Sequence, residues 1–203
     1  MNFGDDCNHQ DELLMPNLRK KSVLLALCVA ATLAPSASAA SETALAHFDA
    51  VAKVFLHPRC TNCHSAGDWP RQGDEQRRHS MNVHRGSAGE GIPGARCIAC
   101  HAPRPLDNSI GLPPTGAHWR MPRADRQMVF EGKTPRELCL QLKDPEATGR
   151  PTLGEALEHV IHDDLVSWAF APGADRSAPP LSKKDFFRRL ARWARGGAPC
   201  PPP

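Results

Sequence analysis

Two copies of one short motif constrain this chain more than any other feature of its sequence. Both copies read Cys-x-x-Cys-His: the first comprises Cys60, Cys63 and His64, and the second comprises Cys97, Cys100 and His101. This pattern is typical of covalent c-type haem attachment. Each thiol forms a thioether with one vinyl group, and the adjacent imidazole binds the iron. The sequence therefore predicts two covalently bound haems c, with His64 and His101 as the proximal iron ligands.

Paired cysteines have two other common uses, as a redox dithiol and as a four-cysteine zinc site. Zinc ribbons usually separate their cysteine pairs by about 15 to 20 residues, and Cys63 lies farther than that from Cys97. Neither use requires a histidine directly after both pairs. Haem attachment is the preferred interpretation, and the dithiol and the zinc site are its alternatives.

The amino-acid composition indicates a small protein with few large side chains to fill its core. The chain has 203 residues and a formal charge of +3, which favours one domain and lacks the basic excess typical of nucleic-acid binding. It contains 20 prolines and 15 glycines but no tyrosine. We expect a mostly α-helical, loop-rich, cytochrome-c-like unit built around the two haems.

The first forty residues are typical of a secretory signal peptide. A basic stretch at 19–21 precedes the apolar run "SVLLALCVAATLA" and the small residues "PSASAA". The run is shorter than the ~20 residues of a membrane span, so we expect export to the periplasm of a Gram-negative bacterium without a permanent membrane anchor. The acidic opening "MNFGDDCNHQDEL" is unusual for a signal, and we expect synthesis to begin at Met15.

The remaining residues, 41–203, are expected to form one di-haem domain. Its first haem segment covers about 41–86 and its second about 87–203. Four helix signals stand out: an apolar face (Leu45, Phe48, Val51 and Phe55) before Pro58, and three N-caps at Thr134, Thr152 and Ser182. Residues 65–96 and 102–133 show no strand-like alternation and are predicted to be irregular.

Several segments of the chain carry a resemblance to a known family. These include "HPRCTNCHSAGDWPRQGD", "HSMNVHRGSAGEGIPGARCIACH", "MVFEGKTPRELCLQLKDP" and "EHVIHDDLVSWAFAPGADR". Over most of residues 41–203 the chain resembles small periplasmic di-haem c-type cytochromes labelled as a subunit of isoquinoline 1-oxidoreductase.

The resemblance implies an electron-transfer protein, or the electron-transfer subunit of an oxidoreductase, rather than an enzyme by itself. Its redox partner would be a molybdenum hydroxylase or another periplasmic dehydrogenase, from which electrons pass toward the respiratory chain. The alternative is a peroxidase-like haem enzyme or a haem-based sensor with an open axial site. The short spacing between the motifs disfavours the two full-size domains of familiar bacterial di-haem peroxidases.

The sixth ligand of each iron is less constrained by the sequence. For the first haem we favour His79, which matches a histidine of the resembling family, over Met81 and His84 in the same loop. For the second haem we favour His159, which points away from the apolar face of its helix. Its alternates are His162, Met128 and Met121.

Cys139 and Cys200 are left over in an oxidising compartment, and we expect a disulfide between them rather than two separate thiols. The last helix carries Arg188, Arg189, Arg192 and Arg195 along one side, which either face solvent or attract an acidic redox partner.

The cleavage site of the expected signal peptide can be tested directly. We expect signal peptidase to cleave after Ala39 or Ala40, because both follow small residues at an Ala-x-Ala site. N-terminal sequencing of the exported protein should therefore begin at Ala40 or Ser41. Recovery of a peptide containing Cys7 from the unprocessed precursor would contradict initiation at Met15.

Overall fold

The first and last helices of the described structure pack together and form much of the apolar core. The computed structural model describes residues 37–101, 119–173 and 176–203. Helix α1 (Ala37–Phe55) buries Phe48 and Phe55 against α8 (Lys183–Arg195). The ring centres of Phe48 and Trp193 are 4.7 Å apart, and those of Phe55 and Phe186 are 5.3 Å apart. The predicted apolar face of α1 is confirmed for Phe48, Val51 and Phe55, whereas Leu45 is only half-buried.

Short elements connect these two helices along the chain, and two of the short helices carry cysteines of the two motifs. In chain order they are α2 (Pro58–Thr61), β1 (Arg71–Gln72), β2 (Arg77–Arg78), a 3-10 turn (Ser80–Asn82), β3 (Gly91–Ile92), β4 (Ala95–Arg96), α3 (Cys97–Cys100), α4 (Pro135–Lys143), α5 (Pro145–Thr148), α6 (Leu153–His162) and α7 (Asp164–Ala169). The described residues are therefore mostly α-helical, as predicted.

Two small antiparallel hairpins are present where the sequence predicts only irregular structure. Strand β1 pairs with β2, with Arg71 opposite Arg78, and β3 pairs with β4, with Gly91 opposite Arg96. Each strand has two residues, which is too short to show the alternation of polar and apolar residues that identifies longer strands.

The three predicted N-caps are confirmed. Thr134 accepts a hydrogen bond from the amide of Glu137, whose carboxylate accepts one in return from the Thr134 amide at 2.7 Å. This reciprocal arrangement is a capping box. Thr152 and Ser182 likewise cap α6 and α8.

Pro58 begins a second short helix soon after α1 ends. Helix α1 ends at Phe55, before the proline, and Pro58 occupies the first turn of α2 with His57 as its N-cap. Proline suits this position because the first amides of a helix have no partner within the helix. As a result, Cys60 lies on a short helix.

The expected signal peptide, with its start at Met15, falls largely outside the described residues, while the expected cleavage site lies within the first turn of α1. Within the described ranges, no helix has both the length and the apolar character needed to span a bilayer.

A disulfide joins Cys139 on α4 to Cys200 in the C-terminal tail, the pair that the sequence analysis expects to be linked. Two hydrogen bonds hold the same tail. The Lys143 ammonium donates to the carbonyl of Ala198 at 2.9 Å, and the Trp193 indole donates to that of Pro199 at 2.8 Å. The tail is therefore fixed against both α4 and α8.

Removal of this disulfide should lower the free energy of unfolding. The crosslink spans 61 residues, for which chain entropy gives a stabilisation of about 4 kcal/mol. We expect Cys139→Ala/Cys200→Ala to lose about this much in guanidinium unfolding, and the reduced wild-type protein to lose a similar amount. Two unlinked thiols in non-reducing mass analysis would contradict the prediction.

Candidate functional site: the two Cys-x-x-Cys-His segments

The first motif lies in the wall of a cavity of about 510 Å³, which is within the ~300–1,000 Å³ range of small-molecule and cofactor sites. The turn that begins at α2 places Cys60, Cys63 and His64 together, with the His64 amide donating to the carbonyl of Cys60 at 3.0 Å. Much of the remaining cavity lining is apolar. These residues come from α6, α7 and the core and include Val160, Leu165, Val166, Ala169, Phe170 and Phe186.

The imidazole of His64 is held in a state suited to metal binding. Its Nδ1 lies 2.7 Å from the carbonyl oxygen of Met128, and a carbonyl can only accept, so Nδ1 carries the proton. Nε2 then keeps its lone pair, which is the usual state of a metal-binding histidine. Burial lowers the pKa of His64 to about 4, which keeps the ring neutral. Phe130 stacks on the ring with 3.9 Å between centres.

Residues 128–131 also hold the backbone of the first motif. The amides of Phe130 and Glu131 both donate to the carbonyl of His64, at 2.9 and 3.2 Å. The Glu131 carboxylate accepts from the Ala66 amide at 2.8 Å and pairs with Arg71 at 2.6 Å. Met128 has φ 45°, a left-handed conformation that is rare for residues with a side chain. These contacts keep the Met128 carbonyl beside His64.

The first two thiols do not resemble those of a redox dithiol. Cys60 and Cys63 are free thiols, and burial raises the pKa of Cys60 to about 12 and that of Cys63 to about 11. Reactive thiols usually have a lowered pKa. Among the described residues, which include all four motif cysteines, no three His, Cys, Asp or Glu side chains converge as a metal cluster. A haem iron, by contrast, takes only axial ligands from the protein.

Basic side chains surround this apolar cavity. Its lining includes Asp163 and five arginines: Arg59, Arg120, Arg123, Arg126 and Arg150. Arg59 is buried and pairs with Asp74, while its Nε has no hydrogen-bond partner among the described residues. Guanidinium groups bind carboxylates well. An apolar cavity with a cationic lining, two thiols and a free imidazole nitrogen fits a haem with its propionates.

The second motif lies beside the first site. The β3–β4 hairpin leads directly into α3, so Cys97 and Cys100 lie on one helical turn and His101 follows it. Trp119 stacks on the His101 ring with 4.1 Å between centres. Trp119 also lines the first cavity. The two motifs therefore share one aromatic side chain.

The two preferred distal ligands lie at motifs opposite to those expected. We expected His79 at the first haem, but its ring is 6.3 Å from that of His101 in the second motif. We expected His159 at the second haem, but it lines the cavity beside His64. Burial lowers the pKa of His159. The cause is the fold: the loop after the first motif extends to the second, and α6 returns to the first.

Three alternates are poorly placed as distal ligands. The Met81 side chain is 81% exposed. The His84 ring lies 3.3 Å from the Asp68 carboxylate, and His162 on α6 lies 3.0 Å from that of Glu158.

The remaining alternates, Met121 and Met128, line the first cavity together with His159. The carbonyl of Met128 contacts Nδ1 of His64, so this residue lies on the side of the ring opposite to Nε2. Met121 is buried and faces the cavity. His159 and Met121 are therefore the candidates for the distal side of the first site.

A buried arginine that the sequence analysis missed holds the loops of both segments. Arg85 is fully buried and donates to the carbonyls of Ser65, Gly67 and Pro122, at 3.2, 2.8 and 2.8 Å. It thus connects the loop after the first motif to the segment that begins at Trp119. Nothing in the local sequence distinguishes it from an ordinary loop arginine, because its partners are backbone carbonyls.

Comparisons of this chain with protein-family models, curated proteins and solved structures find no match. The assignment of the site therefore depends on the geometry described above.

Substitution of Arg85 should destabilise the fold. Arg85→Leu would leave three carbonyls without their donor, and we expect a loss of about 3 kcal/mol or more in the free energy of unfolding. Arg77→Leu is the control, because this exposed arginine pairs only with Glu75 among the described residues and should change stability by less than about 0.5 kcal/mol. Equal effects in urea unfolding would contradict a special role for Arg85.

Proposed function

We propose that this protein is a periplasmic di-haem c-type cytochrome that transfers electrons between protein partners. The observation that carries the proposal is the environment of His64. Its Nδ1 donates to Met128, which leaves Nε2 unprotonated beside two thiols in an apolar cavity. This combination of residues suits covalent haem attachment and serves no evident purpose in a redox dithiol.

Bound haem would supply one-electron redox chemistry between a reduced and an oxidised protein partner. The residues of the chain provide the environment for this exchange. His64 and His101 would hold the irons, Phe130 and Trp119 fix the orientation of their rings, and the surrounding arginines would neutralise the propionates.

The proposed partners come from the resemblance described above. A molybdenum hydroxylase or another periplasmic dehydrogenase would donate electrons, and the respiratory chain would receive them. The shared position of Trp119 supports transfer within the protein, because it brings the two motifs to one aromatic side chain. No substrate chemistry is required of this chain.

Cysteine variants test haem attachment at each motif. Exported wild-type protein, made together with a c-type haem maturation system, should have the mass of the polypeptide plus two haems. Cys60→Ala/Cys63→Ala and Cys97→Ala/Cys100→Ala should each lose one haem. Cys139→Ala/Cys200→Ala is the matched control and should keep both, because its cysteines form the disulfide. A wild-type mass equal to that of the bare polypeptide would refute the proposal.

The same preparations distinguish an electron carrier from a haem enzyme or sensor. Two low-spin, six-coordinate ferric haems in the electron paramagnetic resonance spectrum would support a carrier. A high-spin haem that binds carbon monoxide or peroxide in the wild-type protein would favour the enzyme or sensor instead.

A further inference from the structure

We infer that His79 is the sixth ligand of the iron at the second motif, opposite His101. The inference rests on the proposed function, because it requires a haem at Cys97 and Cys100. It assigns to the second site a ligand from the first haem segment. The loop after the first motif would then complete the coordination of the second iron.

The spacing of the two rings fits coordination of one metal between them. The ring centres of His79 and His101 are 6.3 Å apart, with an interplanar angle of 72°. Imidazole–metal bonds are about 2.0 Å long, and a ring nitrogen lies about 1.2 Å from the ring centre, so two imidazoles on opposite sides of one metal have centres about 6.4 Å apart. Trp119 stacks on a face of the His101 ring with 4.1 Å between centres, whereas the His79 ring meets that of His101 edge to face.

The hydrogen bond of His79 also leaves one ring nitrogen suited to a ligand role. Its Nδ1 lies 2.8 Å from the carbonyl oxygen of Ser80, which can only accept a hydrogen bond. Nδ1 is therefore the donor, and Nε2 keeps the lone pair that a metal requires. His64 shows the same arrangement with Met128.

The backbone holds His79 in this position. The residue directly follows β2, whose Arg78 pairs with Arg71 in β1. The His79 amide donates to the carbonyl of Pro70 at 2.9 Å, and the Ser80 amide donates to the side chain of Gln72 at 3.1 Å. The short hairpin thus fixes the point at which the chain reaches the second motif.

Other side chains of this loop are less suited to the second iron. The Met81 side chain is 81% exposed. Both ring nitrogens of His84 have polar neighbours, because Nδ1 lies 3.3 Å from Asp68 and Nε2 lies 3.5 Å from Arg78. His84 is therefore a matched control on the same loop.

Electron paramagnetic resonance of the ferric holoprotein tests the inference. In His79→Ala, one of the two low-spin haem signals should disappear and a high-spin signal should replace it, while intact mass still shows two haems. His84→Ala should keep both low-spin signals. His79→Met should raise the reduction potential of one haem only, because methionine ligation raises the potential relative to histidine.

Variants that retain a single attachment site identify the haem that is affected. In Cys97→Ala/Cys100→Ala, which keeps only the first site, adding His79→Ala should leave the spectrum unchanged. In Cys60→Ala/Cys63→Ala, which keeps the second site, it should convert the haem to high spin. Conversion of the first haem, or an unchanged spectrum in the di-haem His79→Ala protein, would overturn the inference. Absence of haem from the wild-type protein would instead refute the proposed function.

Discussion

The hydrogen bond from His64 to the carbonyl of Met128 is the interaction on which the first site depends. It determines which ring nitrogen of His64 keeps its lone pair. The acceptor, Met128, is far from His64 in the sequence. Residues 128–131 contribute more than this one acceptor, because they also bind the His64 carbonyl and stack Phe130 on the ring. The left-handed backbone of Met128 is thus maintained by several contacts at once, as expected where local strain accompanies a functional site.

Buried positive charge near this site is compensated within the protein. Burial of a cation without a partner is costly, yet Arg59 and Arg85 are both buried. Each has a different form of compensation within the protein: Arg59 pairs with Asp74, and Arg85 donates to three carbonyls. The remaining positive charge around the cavity is consistent with an anionic cofactor, whose apolar surface would supply packing that the side chains of a tyrosine-free chain do not.

Local features of this fold could be predicted from the sequence, whereas its long-range contacts, apart from the Cys139–Cys200 disulfide, could not. The caps at Thr134, Thr152 and Ser182 depend on residues within one helical turn, and the structure confirms them. The mostly helical architecture follows from the same signals. By contrast, the placement of His79 and His159 at the opposite motifs depends on how distant segments pack. Arg85 was missed for the same reason, since its acceptors are backbone carbonyls that leave no trace in side-chain patterns.

Trp119 lies where one side chain could influence the redox potentials of both proposed haems. Its indole covers one face of the His101 ring and forms part of the wall of the cavity beside His64. Local polarity and ligand orientation are two of the means by which a protein adjusts a haem's redox potential. In the proposed holoprotein, a change at this single residue would alter the polarity around one centre and the tilt of the imidazole at the other. A substitution at Trp119 would therefore change the redox potentials of both haems together.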